Sequence, residues 1–332
     1  MDEIPLISVQ SLFGPSSDRR TEADAAIRDG AAHHGFLVLT DLPESIPVDP
    51  DSRQRLLEIF SLPDSAKRQI SRKAAVPENP NIYRGYFPLS SGVIKEGIDI
   101  GPELPSQGVT GDALIEATPL PKEAVLPGWR ALTRKLFGEL EHLGSQLMRA
   151  LARGLALPED TFDDAFRGGI STLRLLHYPA WPDLARRYEI PLKPLAQGKY
   201  AIGGSHVDSG FLTLLQQDQV EGLQIKSPQG QWLDIPHREG SLILNFGQLL
   251  ERWTGGRVRA TTHRVLGNEI SRYSIPFFYE PRVNACIQPL LLEGVEPFEP
   301  FLYGDHLWEA ISAFSEFQNA VRFQNGLVQR EP

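Results

Sequence analysis

A chain of 332 residues with 41% hydrophobic content can bury a large core, as one large domain or two small ones. Its formal net charge of -9 argues against a broad attraction for nucleic-acid phosphates, leaving only a local basic patch open. The one cysteine, Cys286, excludes an internal disulfide, and no long apolar run or charged-then-apolar leader marks a membrane span or export signal, so the cytoplasm is the simplest location.

In chain order, Glu22 to His34 is compatible with a helix whose Ala26, Ile27 and Ala31 lie toward one side. Phe36 to Leu39 is an apolar run short enough for a buried strand. Arg53 to Phe60 reads as another helix. From Ala75 to Pro121 proline, glycine and serine are frequent, which predicts mostly loop. Within it, Tyr83, Arg84 and Tyr86 either contact substrate or pack the loop across the core. Between Gly128 and Leu157 the residues Leu132, Leu136, Phe137, Leu140, Leu143, Leu147 and Leu151 recur at three- and four-residue steps, as in an amphipathic helix or a kinked pair.

From Ser171 onward the texture changes. The runs Phe211 to Leu215, Leu223 to Ile225, Ser241 to Phe246, Arg257 to Val265 and Tyr273 to Tyr279 are short, apolar or alternating, and punctuated by Gly, Pro and Asn. Such strands predict two facing sheets, hence a jelly roll. Cys286 is expected to be a buried small hydrophobe within a strand. A last helix is expected from Asp305 to about Ala320, and there is no repeat or low-complexity segment. The whole reads as a mixed β core with helices, in which residues 1–125 form a helical N-terminal region and 126–332 a long helix plus the jelly-roll core, as one catalytic unit.

Chemistry concentrates in Gly204-Ser205-His206-Val207-Asp208. On extended backbone, residues two apart share a face, so His206 and Asp208 can point at one ion while Val207 points away. A third ligand, His263, lies in the alternating run that a turn at Gly267-Asn268 closes. Two imidazoles and a carboxylate are the facial set that binds non-haem Fe(II) and leaves positions open for dioxygen and a co-substrate. His237-Arg238-Glu239 repeats the spacing, but sits after a proline in a turn with no third ligand and anion-binding arginine following. Arg272 and Ser274, again two apart, can clamp a carboxylate on the strand that follows. The segment from Ala180 to Gly203, with Trp181, Arg186, Arg187, Tyr188, Lys199 and Tyr200, is either pocket lining or surface loop, and its positive charges weakly favour a carboxylate-bearing substrate.

The order of these segments resembles the isopenicillin N synthase-like family of the Fe(II)/2-oxoglutarate-dependent dioxygenase superfamily over nearly the whole chain. The likeness rests on Ile4-Pro5-Leu6-Ile7-Ser8, Gly35-Phe36-Leu37-Val38-Leu39, Tyr83-Arg84-Gly85-Tyr86-Phe87-Pro88, Lys95-Glu96-Gly97-Ile98-Asp99-Ile100-Gly101, Leu173-Arg174-Leu175-Leu176-His177-Tyr178-Pro179, Gly222-Leu223-Gln224-Ile225 and Asn245-Phe246-Gly247. It implies a double-stranded β-helix, with His206, Asp208 and His263 as Fe(II) ligands and Arg272, Ser274 and Tyr178 holding 2-oxoglutarate. It also implies an O2-dependent reaction that releases succinate and CO2 while a small-molecule substrate is hydroxylated, desaturated or ring-closed.

Leu176 stands where many plant relatives carry asparagine, and Gln248 where an aspartate is common. Two alternatives stay open. One is a synthase-like oxidase, whose clamp holds the substrate and whose terminal glutamine approaches the iron, a tail that Phe323 to Val328 resembles unless it is only a frayed end. The other is a non-catalytic module holding Zn(II) or Ni(II).

Overall fold

The computed structural model describes residues 4–90, 94–103, 111–191, 193–195, 198–202, 204–290, 292–293, 295–313, 317, 320, 322–324 and 327–328. Its strands in chain order are β1 Leu6–Ser8, β2 Phe36–Thr40, β3 Gly85–Phe87, β4 Glu96–Ile100, β5 Thr172–Tyr178, β6 Tyr200–Ala201, β7 Leu212–Gln217, β8 Leu223–Lys226, β9 Trp232–Asp234, β10 Leu242–Phe246, β11 His263–Gly267, β12 Arg272–Tyr279, β13 Cys286–Ile287, β14 Phe301–Leu302, β15 Phe323–Gln324 and β16 Leu327–Val328. The α-helices are α1 Asp18–His33, α2 Pro50–Leu57, α3 Asp64–Gln69, α4 Trp129–Gly154, α5 Asp163–Phe166, α6 Trp181–Arg187, α7 Gln248–Trp253 and α8 Tyr303–Ser312.

An eight-stranded sheet runs β1-β2-β10-β7-β12-β5-β4-β3, and a four-stranded sheet runs β6-β11-β8-β9. Only β1 with β2 is parallel among these pairs; every other neighbour is antiparallel. The two sheets face each other as a double-stranded β-helix. The first four strands come from the N-terminal 125 residues, yet lie in the same large sheet as the rest.

Strand alternation divides the large sheet into two faces. On β12, Ile275, Phe277 and Tyr279 enter the main core, which also takes Leu136, Leu140, Leu143, Leu147 and Leu151 of α4 and Ile27 and Ala31 of α1. Arg272, Ser274, Pro276 and Phe278, the residues between, line a cavity on the opposite side. Apolar clusters close the space between the sheets on two sides. One joins Phe36 and Val38 of β2 to Leu223 and Ile225 of β8; the other joins Leu176 and Tyr178 of β5 to Trp181, Leu184 and Ile202. Helices, large sheet and small sheet thus form three layers, with the cavity between the last two.

Some boundaries differ from the sequence expectation. Helix α1 starts four residues early because Ser17 caps it, its hydroxyl accepting from the Arg20 amide at 3.2 Å. Helix α4 is one helix of 26 residues, not a kinked pair. The stretch expected as loop from Ala75 carries β3 and β4, which pair as an antiparallel ladder with Gly85 opposite Asp99, Tyr86 opposite Ile98 and Phe87 opposite Gly97. The strand expected from Arg257 begins only at His263, since the Val258, Arg259 and Ala260 amides bond to Thr254 Oγ1, Ala31 O and Glu251 Oε1. Cys286 is exposed rather than buried: it alternates outward on β13 between Ala285 and Ile287, which are fully covered. Helix α8 ends at Ser312 among the described residues, and the remainder of the expected helix includes 314–316 and 318–319, outside them. The tail expected to fray pairs Phe323–Gln324 with Leu327–Val328; residues 325–326 lie outside the described residues. Among the described residues no helix is long and apolar enough to cross a membrane.

Candidate metal centre and adjoining cavity

His206 and His263 come from separate stretches that meet in an isolated antiparallel bridge, their amides donating to each other's carbonyls at 3.0 and 2.9 Å. This backbone pairing sets the rings 4.3 Å apart, centroid to centroid. Asp208 Oδ1 lies 3.6 Å from His206 Nε2 and 3.6 Å from His263 Nε2, and one ligand atom from each residue falls within 4.8 Å of the others. Ligand atoms around one divalent ion at ~2.1 Å stand ~3 Å apart at right angles, so this donor set fits a single ion after slight contraction.

The remaining atoms are committed elsewhere, which aims the ligand atoms. Asp208 Oδ2 accepts from Thr213 Oγ1 at 2.6 Å and from Asn245 Nδ2 at 2.7 Å, leaving Oδ1 toward the histidines. His263 Nδ1 lies 3.2 Å from the Thr261 carbonyl, which only accepts; the proton therefore sits on Nδ1 and the lone pair on Nε2. The Phe36 ring meets the His263 ring edge-on at 5.5 Å. Behind Asp208, the Gln248 amide donates to its carbonyl at 2.7 Å. Only glycine fits at 247, because a Cβ there would stand 2.2 Å from the Gly210 carbonyl oxygen.

Electrostatics favour the metal-ready forms. Burial raises the Asp208 pKa, but the facing His263 and the bonds from Thr213 and Asn245 outweigh it and hold the carboxyl below its ordinary range. Loss of hydration, then repulsion from His263 and Lys95, pushes the His206 imidazole down, with Asp208 opposing. The His206 imidazole is thus held toward its neutral form beside an ionised Asp208 carboxylate.

The adjoining cavity has a volume of about 560 Å³. Arg272 and Ser274 line it and are 1% and 4% exposed. All three guanidinium nitrogens of Arg272 are buried without a hydrogen-bond partner among the described residues, and its cation lies 5.3 Å from the Tyr178 ring centroid. Such an unmet set of donors suits a bidentate carboxylate. Tyr178 and Leu176 also line the cavity, whereas Gln248 is an exposed first residue of α7.

Other sequence candidates separate clearly. Of Tyr83, Arg84 and Tyr86 only Tyr83 lines the cavity; Arg84 bonds Thr172 Oγ1 at 2.5 Å and the Ile170 carbonyl at 2.6 Å, and the Tyr86 hydroxyl bonds Glu96. His237 and Glu239 are a surface pair tied to Arg53. The charges between 180 and 203 do not line the cavity: Arg186 pairs with Asp183, and Lys199 with Asp234 and Glu221. Ile202 alone does so, residue 203 lying outside the described residues. Sequence reasoning missed Thr213 and Asn245. The signal was an amide alternating inward within the apolar run of β10, where a buried polar group needs a partner.

Comparison with known proteins agrees with this geometry. Residues 171–281 match the model of the 2OG-Fe(II) oxygenase superfamily. The 2-oxoglutarate-dependent dioxygenase ecdK of Aspergillus rugulosus is 31% identical over 297 residues, 81% of this chain and 85% of that protein. Isopenicillin N synthase of Streptomyces clavuligerus is 27% identical over 322 residues, 93% of this chain and 95% of its own. In structure, a full-length Neurospora crassa protein solved in complex with alpha-KG superposes with a TM-score of 0.77 at 28% identity, covering 93% of this chain and 96% of that one; the same protein is also solved with alpha-KG and thymine.

Proposed function

The chain belongs to the 2OG-Fe(II) oxygenase superfamily and is an Fe(II)- and 2-oxoglutarate-dependent oxygenase of a small organic substrate; from that premise we propose which residues do the work. His206, Asp208 and His263 hold the iron, and Arg272, Ser274 and Tyr178 hold the far carboxylate of 2-oxoglutarate. The observation that carries the second assignment is Arg272, a buried cation with three unmet donors on the cavity wall.

Bound there, the iron with its co-substrate supplies the oxidising power of the reaction, which converts 2-oxoglutarate and O2 to succinate and CO2 while the substrate is hydroxylated, desaturated or ring-closed. The chain's own part is positioning and exclusion of water. Thr213 and Asn245 fix the Asp208 carboxylate, Ser274 adds a hydroxyl beside Arg272, and Phe211, Phe278, Leu307 and Ile311 make much of the remaining wall apolar.

The substrate's acidic group, where it has one, faces Lys95, a cavity-lining cation with no ion pair among the described residues whose charge is felt at His206. A molecule of the size of thymine, with which the Neurospora relative is complexed, suits the volume. We take residues 1–125 and 126–332 to work as one catalytic unit, supported by their shared sheet, and the setting to be the cytoplasm, where a lone exposed cysteine stays reduced.

The test is anaerobic titration of the metal-loaded chain with 2-oxoglutarate, followed by succinate release in air. Micromolar binding that Arg272→Ala weakens at least a hundredfold supports the assignment. Undiminished 2-oxoglutarate affinity, with a raised KM for the organic substrate instead, overturns it in favour of a clamp for the substrate.

A further inference from the structure

The cavity face of β12 continues past its last strand residue to Glu280, in step with Arg272, Ser274, Pro276 and Phe278. Eight residues of extended chain, ~26 Å, separate Glu280 from Arg272, so the acid stands at the end of the cavity remote from the clamp. On the neighbouring strand Thr172 and Arg174 line the same end, Thr172 being the ladder partner of Phe278.

Glu280 is 7% exposed and in no ion pair among the described residues; its carboxylate accepts from Thr172 Oγ1, 3.4 Å from Oε2, and from the Tyr303 hydroxyl, which leaves acceptor capacity toward the cavity. The cations near it are committed elsewhere. Asp99 takes Arg174 Nε at 2.5 Å and Nη2 at 2.8 Å and also pairs with Arg72, while Arg84 serves Thr172 and the Ile170 carbonyl. Glu280 and Tyr303 both pack beside Gly210 on the cavity wall. A Cβ there would stand 3.8 Å from Tyr303 Oη and 3.9 Å from Glu280 Oε1. Gly210 is two residues beyond Asp208, so Glu280 Oε1 faces a point on the order of 10 Å from the metal-binding carboxylate's backbone.

We propose that Glu280 determines substrate specificity by accepting a hydrogen bond from a neutral N–H or O–H head group, of the amide or lactam type, whose remainder reaches back to the metal. This rests on the function proposed above. Charge on both sides favours a neutral head: a cationic one would face Arg84 and Arg174, whose charges are felt at Glu280, and an anionic one would face Glu280 itself. Burial also lifts the Glu280 pKa to about 7, opposed by Arg84, Tyr303, Arg174 and Thr172, as fits a carboxyl surrounded by little water.

The experiment is anaerobic calorimetry on the full chain loaded with Fe(II) and 2-oxoglutarate, using benzamide, N,N-dimethylbenzamide, benzamidinium and benzoate as probes. Benzamide should bind at least tenfold more tightly than its dimethyl derivative. That preference should fall to about threefold or less in Glu280→Ala and survive in part in Glu280→Gln, whose amide oxygen still accepts. Should Glu280→Ala not fold, Gly210→Ala, which places a methyl before Oε1, should weaken benzamide by a similar factor. An unchanged preference in these variants, no benzamide binding to the natural chain, or tighter binding of benzamidinium or benzoate overturns the proposal. Failure of the natural chain to bind 2-oxoglutarate, seen in the loading step, would instead overturn the functional assignment.

Discussion

Replacing Arg272 by methionine tests the clamp in two measurements that a structural arginine would move in the opposite sense. The side chain is 1% exposed and none of its three nitrogens has a hydrogen-bond partner among the described residues. Buried unmet donors cost ~1–3 kcal/mol. Stacking over Tyr178 returns part of this, ~0.5–2 kcal/mol, and Asp218 attracts the cation from a distance. Arg272→Met should therefore leave the metal-free chain as stable as before or up to ~2 kcal/mol more stable. Its effect on 2-oxoglutarate is the reverse. Two charge-assisted bonds of ~1.5–3 kcal/mol each imply a loss of ~10²–10⁴ in affinity. At a hundredfold excess over Kd the co-substrate should stabilise the natural chain by ~2.7 kcal/mol, about 4 °C in Tm for this length, and do nothing for the variant. Denaturant melts with and without 2-oxoglutarate read both quantities. A metal-free variant destabilised by more than ~1 kcal/mol that binds 2-oxoglutarate within threefold of normal would refute the reasoning.

Other substitutions probe the neighbouring chemistry. Asn245→Ala should lower metal affinity by ~10–100-fold, read by Mn(II) titration, since it frees one of the two bonds aiming Asp208; unchanged affinity would deny Asn245 that role. Asp208→Ala should abolish iron retention and turnover while circular dichroism keeps its sheet signature; metal content equal to that of the natural chain would exclude Asp208 as a ligand. For Glu280 the folded pKa of about 7 exceeds the ordinary 4.5, so between these values the folded state holds the extra proton and stability falls as pH rises. The gap corresponds to ~3 kcal/mol, and Glu280→Gln should gain up to that amount relative to the natural chain from pH 4 to pH 8. A difference independent of pH in urea melts would contradict it.

The parts legible in the sequence were those governed by strict periodicity. The two-residue steps from His206 to Asp208 and from Arg272 to Ser274 fix a shared face wherever the backbone is extended, and the leucine stripe of α4 needs no tertiary information. Less legible were contacts made between distant segments. Thr213 and Asn245 reach Asp208 from two different strands of the large sheet, a relation that spacing along the chain does not encode. The positive charges from 180 to 203 misled for a related reason: sequence proximity to His206 suggested the pocket wall, but α6 and its sequel find acidic partners outside it. Cys286 failed through parity, since a one-residue difference in strand phase separates buried Ala285 and Ile287 from an outward thiol.

The centre's geometry bears on how its ligands assemble. His206 and His263 are joined by their own backbone bonds, and Asp208, though it follows His206 in the chain, is tied through Oδ2 to β7 and β10 of the opposite sheet. The carboxylate thus links the two sheets, and the ordering of the three ligands accompanies folding rather than metal binding. On the proposed assignment, a metal would relieve the carboxylate held between two imidazoles, as 2-oxoglutarate would relieve Arg272. Each ligand would neutralise a charge that folding has already buried, and because the co-substrate also takes positions that the ion leaves open, the two together should stabilise the chain by more than the sum of each alone. Strictly additive stabilisation in paired melts, with each ligand alone and with both, would show that the co-substrate does not share the ion's site.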